Sequence, residues 1–454
     1  MTRKSSRKNK QIINEKAPLL PKKLEDVVVY DEFDGASFTG AVFNLSTTIV
    51  GSGIMALPST MKVLGLVPGI IMIIFMMFFT EASIELLLRF SKAAKRTSYG
   101  GVMGDAFGTT GRMLLQAFVV INNIGTLIVY MIILGDVLSG TTSIGIHHYG
   151  ILEGWFGEHL WNGRFFVVLV TTLAVFAPLA CFKRIDSLRY TSALSVALAV
   201  VFVVVTVGIT IVKLFNGSIA MPRWFPDVTD MTGFWKLFTA VPVLVTAYIC
   251  HFNVHTIDNE LKDSSQIQSV VRASLGLCST VYITTSFFAF LLFGESTLSD
   301  VLANFDTNLG IPYSSLLNDV VRISYAVHLM LVFPIIFFAL RINLDGLLFP
   351  SARPLVSDNG RFALITIGLL FVVFLGANFI PSIWDVFQFT GATAAVCIGF
   401  IFPAAITLKD RHGIATKKDK FLSIFMIFLA VFANVVAIYS DAYAMFKKNA
   451  APIA

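Results

Sequence analysis

Charge is what this sequence has least of. Only 14% of its residues are Asp, Glu, Lys or Arg, whereas 56% are hydrophobic. A water-soluble domain carries roughly 25% charged residues, because its surface must be solvated. A chain of 454 residues with so few charges cannot cover itself in water, so its solvent has to be lipid. Cysteine is scarce as well. The four thiols, Cys181, Cys250, Cys278 and Cys397, lie in or beside apolar stretches. A disulfide framework is therefore not expected, and no metal-ligand spacing occurs. The amino-terminal segment lacks the apolar core and cleavage site of a signal peptide. No phosphate loop and no nucleophile–base constellation on facing segments is found, so neither an enzyme nor a cofactor is expected.

What the sequence does have is a series of apolar stretches, each long enough to cross a bilayer as a helix of about 20 residues. They read as Phe38–Val63, Leu66–Phe90, Met113–Ser139, Phe165–Phe182, Thr191–Phe215, Phe234–Thr256, Ser269–Phe293, Leu316–Leu340, Phe362–Ile380, Ile383–Leu408 and Phe421–Phe446. Short alternating segments, the mark of a membrane barrel, are not the pattern here. The expected class is an all-α polytopic membrane protein. A tail over 1–35 is expected to be disordered and cytosolic, with an eleven-helix body over 36–446 and a short non-cytosolic tail over 447–454.

The formal net charge of +6 would suit a nucleic-acid partner only if the charges were gathered on one soluble face. Instead they sit in alternate connections: Arg89/Lys92/Lys95/Arg96, Lys183/Arg184/Arg189, Arg341/Arg353/Arg361 and Lys409/Arg411/Lys417/Lys418/Lys420, with a further set before the first span. That alternation is the positive-inside signature and places the amino terminus in the cytosol. Within the tail, Glu15-Lys-Ala-Pro-Leu19-Leu20 has the spacing of a dileucine sorting signal. It would be read by an adaptor complex on vacuolar or lysosomal membranes. Asn216-Gly217-Ser218 is a glycosylation acceptor sequence close to a membrane end.

Two spans carry interruptions. Span 1 reads Phe43-Asn-Leu-Ser-Thr-Thr-Ile-Val-Gly-Ser-Gly-Ile-Met-Ala-Leu-Pro58. Its polar side chains are expensive in lipid, and Gly51-Ser52-Gly53 favours unwinding. An unwound midpoint exposes N–H groups that suit a carboxylate, and carbonyls that suit a cation or ammonium. The competing explanation is close helix packing through small residues. Span 6 has Pro242 and then a polar stretch from Thr246 to His255, so Pro242 is expected to weaken its first half. Broken spans at corresponding positions of a five-plus-five repeat point to the binding site of a secondary transporter.

These segments, with Ile185-Asp-Ser-Leu-Arg-Tyr-Thr-Ser-Ala-Leu-Ser195, Cys250-His-Phe-Asn-Val…Glu260-Leu261 and Gly391-Ala-Thr…Phe402-Pro403, resemble the amino acid/auxin permease family. The likeness is greatest to plant vacuolar-type amino acid transporters, and sodium-coupled neutral amino acid transporters are related. The resemblance implies a LeuT-type five-plus-five inverted repeat with an eleventh transmembrane helix. The repeats would cover about 36–215 and 234–408, and the extra helix about 421–446. It implies a substrate carboxylate at backbone amides around Gly51, Ser52 and Gly53. The ammonium would meet carbonyls near Thr47, Thr48 and Ile49 and around Thr246, Ala247 and Tyr248. Asn122, Asn123 and Thr126 of span 3 would face the substrate side chain.

One departure bears on coupling. Sodium-coupled relatives supply span 1 oxygens, around Thr47 and Val50 here, and span 8 hydroxyls. In this chain the matching stretch, His328-Leu-Met-Leu-Val-Phe333, has no hydroxyl, and Thr47 stands where Asn is common. His328 would then serve either as a proton site, since intramembrane ionisable groups are functional by default and imidazole titrates near neutrality, or as a histidine hydrogen-bonded into helix packing. Glu81 and His251 are further proton-carrier candidates. Glu85 is expected to pair with Arg89, one turn on. The reading is therefore secondary active transport of amino acids, neutral ones favoured, driven by H+ or independent of Na+. A sodium-coupled symporter, a channel and a transporter-like sensor are the alternatives.

Overall fold

The computed structural model describes residues 35–143, 146–306, 308–380, 386 and 390–450. The sorting sequence Glu15, Leu19 and Leu20 lies outside them.

Each apolar stretch has a helical counterpart. Span 1 is two helices, 1a (Phe38–Ile49) and 1b (Gly53–Leu64), bent by 53°. Spans 2 (Leu66–Ala94), 3 (Tyr99–Ser139) and 5 (Arg189–Phe215) complete the long helices of the first half. Span 4 is the shorter Arg164–Ala180. In the second half, span 6 is again split, into 6a (Ala240–Tyr248) and 6b (His251–Glu260). Spans 7 (Ile267–Phe293), 8 (Ser314–Leu348) and 9 (Asn359–Phe379) follow, then the shorter span 10 (Thr393–Lys409) and span 11 (Lys417–Ala450). Each half thus opens with a broken helix.

Packing follows from side-chain size. Span 8 lies against spans 3 and 5, span 7 supports 1a and 1b, and 6a runs beside 1b. At the 1b/6a crossing, a Cβ on Gly53 would come within 2.8 Å of the Ala247 backbone. Lipid offers no hydrophobic drive between helices, so such close approach is how they cohere. Buried polar residues gather in this core, while Ile71, Phe78, Leu364, Ile367 and Phe428 face outwards.

The lysine- and arginine-rich connections share one end, called the basic end below. The described chain starts there: Ala36 accepts from the Lys262 amide at 3.0 Å and donates to Glu260. The expected Glu85–Arg89 pair is not how Arg89 is held. Its guanidinium forks onto Asp419 of span 11, with both contacts at 3.0 Å. A bidentate fork outcompetes a partner one turn away.

Candidate transport site

Helix 1a ends at Ile49, where Val50 turns extended (ψ 96°) and still donates to the Ser46 carbonyl at 2.7 Å. Neither Gly51 nor Gly53 has positive φ. Their role here is spatial. A Cβ on Gly51 would overlap the Tyr130 hydroxyl, and one on Gly53 would strike Ala247. The small-residue packing explanation therefore holds for Gly53, at the very break that bares backbone groups.

Those groups are met by tyrosines that sequence reasoning missed. The Tyr130 hydroxyl lies against Gly51, beside the Ser52 amide, and Tyr325 donates to the Gly51 carbonyl. The Tyr282 hydroxyl lies 2.6 Å from the Ile49 carbonyl and 2.7 Å from that of Ala247. Carbonyls from the ends of both broken first halves thus converge on one atom. Tyr248 instead exchanges a 2.7 Å bond with Ser279. In the sequence these tyrosines look like aromatic packing; the usable signal is that a buried Tyr needs a partner for its hydroxyl.

The polar side chains of span 1 tie it to its neighbours. Thr47 donates to the Ser192 carbonyl of span 5 at 3.1 Å. Thr48 donates to Asn44 and accepts from Asn253 of 6b at 3.1 Å. Thr246 donates to the Pro242 carbonyl at 2.9 Å, and Thr126 to that of Asn122. Asn122 and Asn123 are fully buried and bonded to each other at 3.0 Å. The Asn122 Oδ1 and Asn123 Nδ2 have no partner among the described residues. Span 3 meets the span 1 break through Tyr130, about 12 Å along the helix from Asn122.

The span 6 break falls at Ile249 and Cys250, and Pro242 does not make it. The proline acts upstream instead, where Leu237–Thr239 tightens into a 3-10 turn. The two histidines of 6b are docked on span 2. The Ser83 hydroxyl gives its proton to the Gly399 carbonyl, so His251 Nε2–H donates to Ser83 at 3.2 Å. The same logic fixes His255, which donates to Ser91 at 3.0 Å while Ser91 donates to Arg96. Each therefore keeps an unprotonated Nδ1 without a partner among the described residues.

His328 is fully buried. Its Nδ1 donates to the Ser195 carbonyl at 2.8 Å. The other nitrogen, Nε2, has no bond among the described residues, and the ring lies beside the Val50 carbonyl. Glu81 is elsewhere, paired with Arg272 of span 7 at 2.7 Å on the outer side.

At the basic end a cavity of about 580 Å3 opens between spans 3, 6b and 8. Arg112, Gln116, His255, Asn259 and Arg353 line it, and Val119 and Phe252 are also in its wall. The opposite end is cross-linked between spans and loops. A hairpin pairs Thr141–Ser143 with Ile146–His148, and His148 binds Asp306 at 2.7 Å. Arg322 holds the Val137 and Tyr149 carbonyls. At the same end, burial raises the Asp300 carboxyl to about 7, opposed by the Leu302 amide and Arg322. Proton uptake there favours the folded loop in acid, and that contribution fades as pH rises from the ordinary carboxylate range to about 7.

Two matched broken helices, crossing in the core and laying bare amides and carbonyls, define a LeuT-type fold. Solved structures share the arrangement: the fold aligns with MhsT in complex with L-phenylalanine (TM-score 0.60, 14% identity, 89% of this chain and 99% of that one). It also aligns with a manganese transporter of Eremococcus coleocola (TM-score 0.59, 11% identity, 91% and 88%). The family described as transmembrane amino acid transporter protein matches residues 34–446. Amino acid transporter AVT6A of Arabidopsis thaliana is 70% identical over 96% of this chain and 94% of its own length. AVT6B of the same plant is 66% identical, with 96% of each chain covered. Solute carrier family 38 member 10 of Rattus norvegicus is 25% identical over 82% of this chain and 33% of its own. The chain belongs to the transmembrane amino acid transporter family.

Proposed function

We propose that the chain carries neutral amino acids across an endomembrane, the vacuolar one favoured, by alternating access coupled to protons rather than to sodium. The observation that carries this reading is the pair of breaks. Amides near Ser52 suit a carboxylate, and the Ile49 and Ala247 carbonyls, both within 2.7 Å of one atom, suit an ammonium. Every side chain assigned to this site is uncharged (Thr47, Thr48, Asn122, Asn123, Thr126, Thr246 and Tyr248 among them), which favours a substrate without a net side-chain charge. His328 supports proton coupling, because its bare Nε2 is a base beside the Val50 carbonyl, where a sodium ion would need oxygen ligands. Protonated, that nitrogen would donate to span 1 and tie span 8 to the break. His251 offers a second bare nitrogen on 6b. The basic end is assigned to the cytosol by the positive-inside rule. The dileucine sequence supports the endomembrane address, with an adaptor complex as the tail's partner.

The test is uptake of a panel of labelled amino acids into proteoliposomes, under a pH gradient or a sodium gradient. A pH gradient should drive accumulation without sodium. Sodium-driven uptake that ignores pH would overturn the coupling. Ser52→Leu puts a branched side chain at the carboxylate position and should abolish uptake while leaving expression intact. Undiminished uptake by that variant would remove the site assignment.

A further inference from the structure

Tyr282 poses a problem of supply. Its hydroxyl carries one hydrogen, yet two carbonyl oxygens lie within bonding distance, Ile49 at 2.6 Å and Ala247 at 2.7 Å. A hydroxyl can donate fully to only one of them at a time. The other is left with a shared contact in a site where Tyr282 itself is fully buried, and an under-satisfied buried acceptor is unfavourable. The two carbonyls belong to different broken spans, so helical rearrangement within one span cannot satisfy both. A cationic group with several N–H donors could, and charge-assisted bonds are about twice as strong as neutral ones.

We propose that the Tyr282 hydroxyl and the substrate's ammonium compete for these same two carbonyls, so that binding displaces the tyrosine and release restores it. This rests on the reading that the breaks hold an amino acid. Tyr282 then sets affinity against turnover as a positioning residue. Its hydroxyl weakens the hold on the substrate, and by reclaiming the carbonyls it speeds release. Its span is placed for this: span 7 packs on both halves of span 1, so a shift of the ring is felt at the break.

The experiment measures equilibrium binding and uptake for the full chain and for Tyr282→Phe. The probes are labelled neutral amino acids, and each is paired with its deaminated carboxylic acid. Removing the hydroxyl removes the competitor. Amino acids should bind about fivefold tighter, the size of one net hydrogen bond. Maximal uptake should fall, and the deaminated acids should be unaffected. A second variant keeps the shape intact: 3-fluorotyrosine at position 282 is a stronger donor and should weaken amino acid binding. Unchanged or weaker binding by Tyr282→Phe would overturn the competition, as would equal effects on amino acids and deaminated acids. Sodium-dependent binding appearing in that variant would also overturn it, by assigning the carbonyls to an inorganic cation. Failure of the unaltered chain to bind any amino acid would instead sink the underlying site reading.

Discussion

The two broken spans reach the same end by opposite means. Span 1 carries its own small residues, and its neighbours supply the bulk: Tyr130 fills the space beside Gly51, and Ala247 packs on Gly53. Span 6 breaks at Ile249 and Cys250, with no glycine of its own, and the neighbour supplies the space. A Cβ on Gly399 of span 10 would lie 3.3 Å from Ile249 Cδ1 and 3.6 Å from the His251 ring. Gly399 also sits in a π-helical stretch, Cys397–Ile401, and its carbonyl accepts from Ser83. One break is thus written into its own segment and the other into the contact between segments. A helix in the membrane can be opened from within or from without, provided the released groups find partners.

Three substitutions sharpen this contrast. The largest effect is expected at Gly51→Val, whose side chain must expel the Tyr130 hydroxyl from the break. Overpacking of this kind costs about 1–3 kcal/mol in stability, and uptake in proteoliposomes should be lost. Gly399→Val tests the borrowed space. Ile249 has a flexible end and can give by a few tenths of an ångström, so folding should survive while uptake falls about tenfold, or ~1.4 kcal/mol in the barrier. Loss of uptake equal to that of Gly51→Val would mean that the two breaks are equally rigid. Pro242→Ala should do least, changing thermal stability by about 1 kcal/mol at most, with uptake nearly intact. It relaxes only the 3-10 turn at Leu237–Thr239. A collapse of transport in that variant would return the span 6 break to proline.

These cases mark what a sequence can disclose. Hydropathy runs located the helices, because lipid demands a continuous apolar length and tolerates few errors of composition. Gly51-Ser52-Gly53 marked the first break because its cause is local, although the glycines act through space where backbone freedom was expected. Pro242 marked the weakened first half of span 6, where the 3-10 turn at Leu237–Thr239 lies, but not the break beyond it. The partners of the bared groups were not legible. Tyr282 lies 233 residues from Ile49, and Asp419 lies 330 from Arg89, and no periodicity encodes meetings at such separations. Likewise His328 was visible as a polar residue in an apolar span. Which of its nitrogens is committed to Ser195 and which is bare is a fact of packing.

The crossing of Gly53 with Ala247 has a mechanical meaning. With backbone against side-chain methyl and no intervening layer, 1b and 6a have no slack in which to slide past one another. In the alternating access proposed above, these two half-helices would swing as a single beam. The compliance of such a cycle would then belong to 1a and 6b, the outer arms.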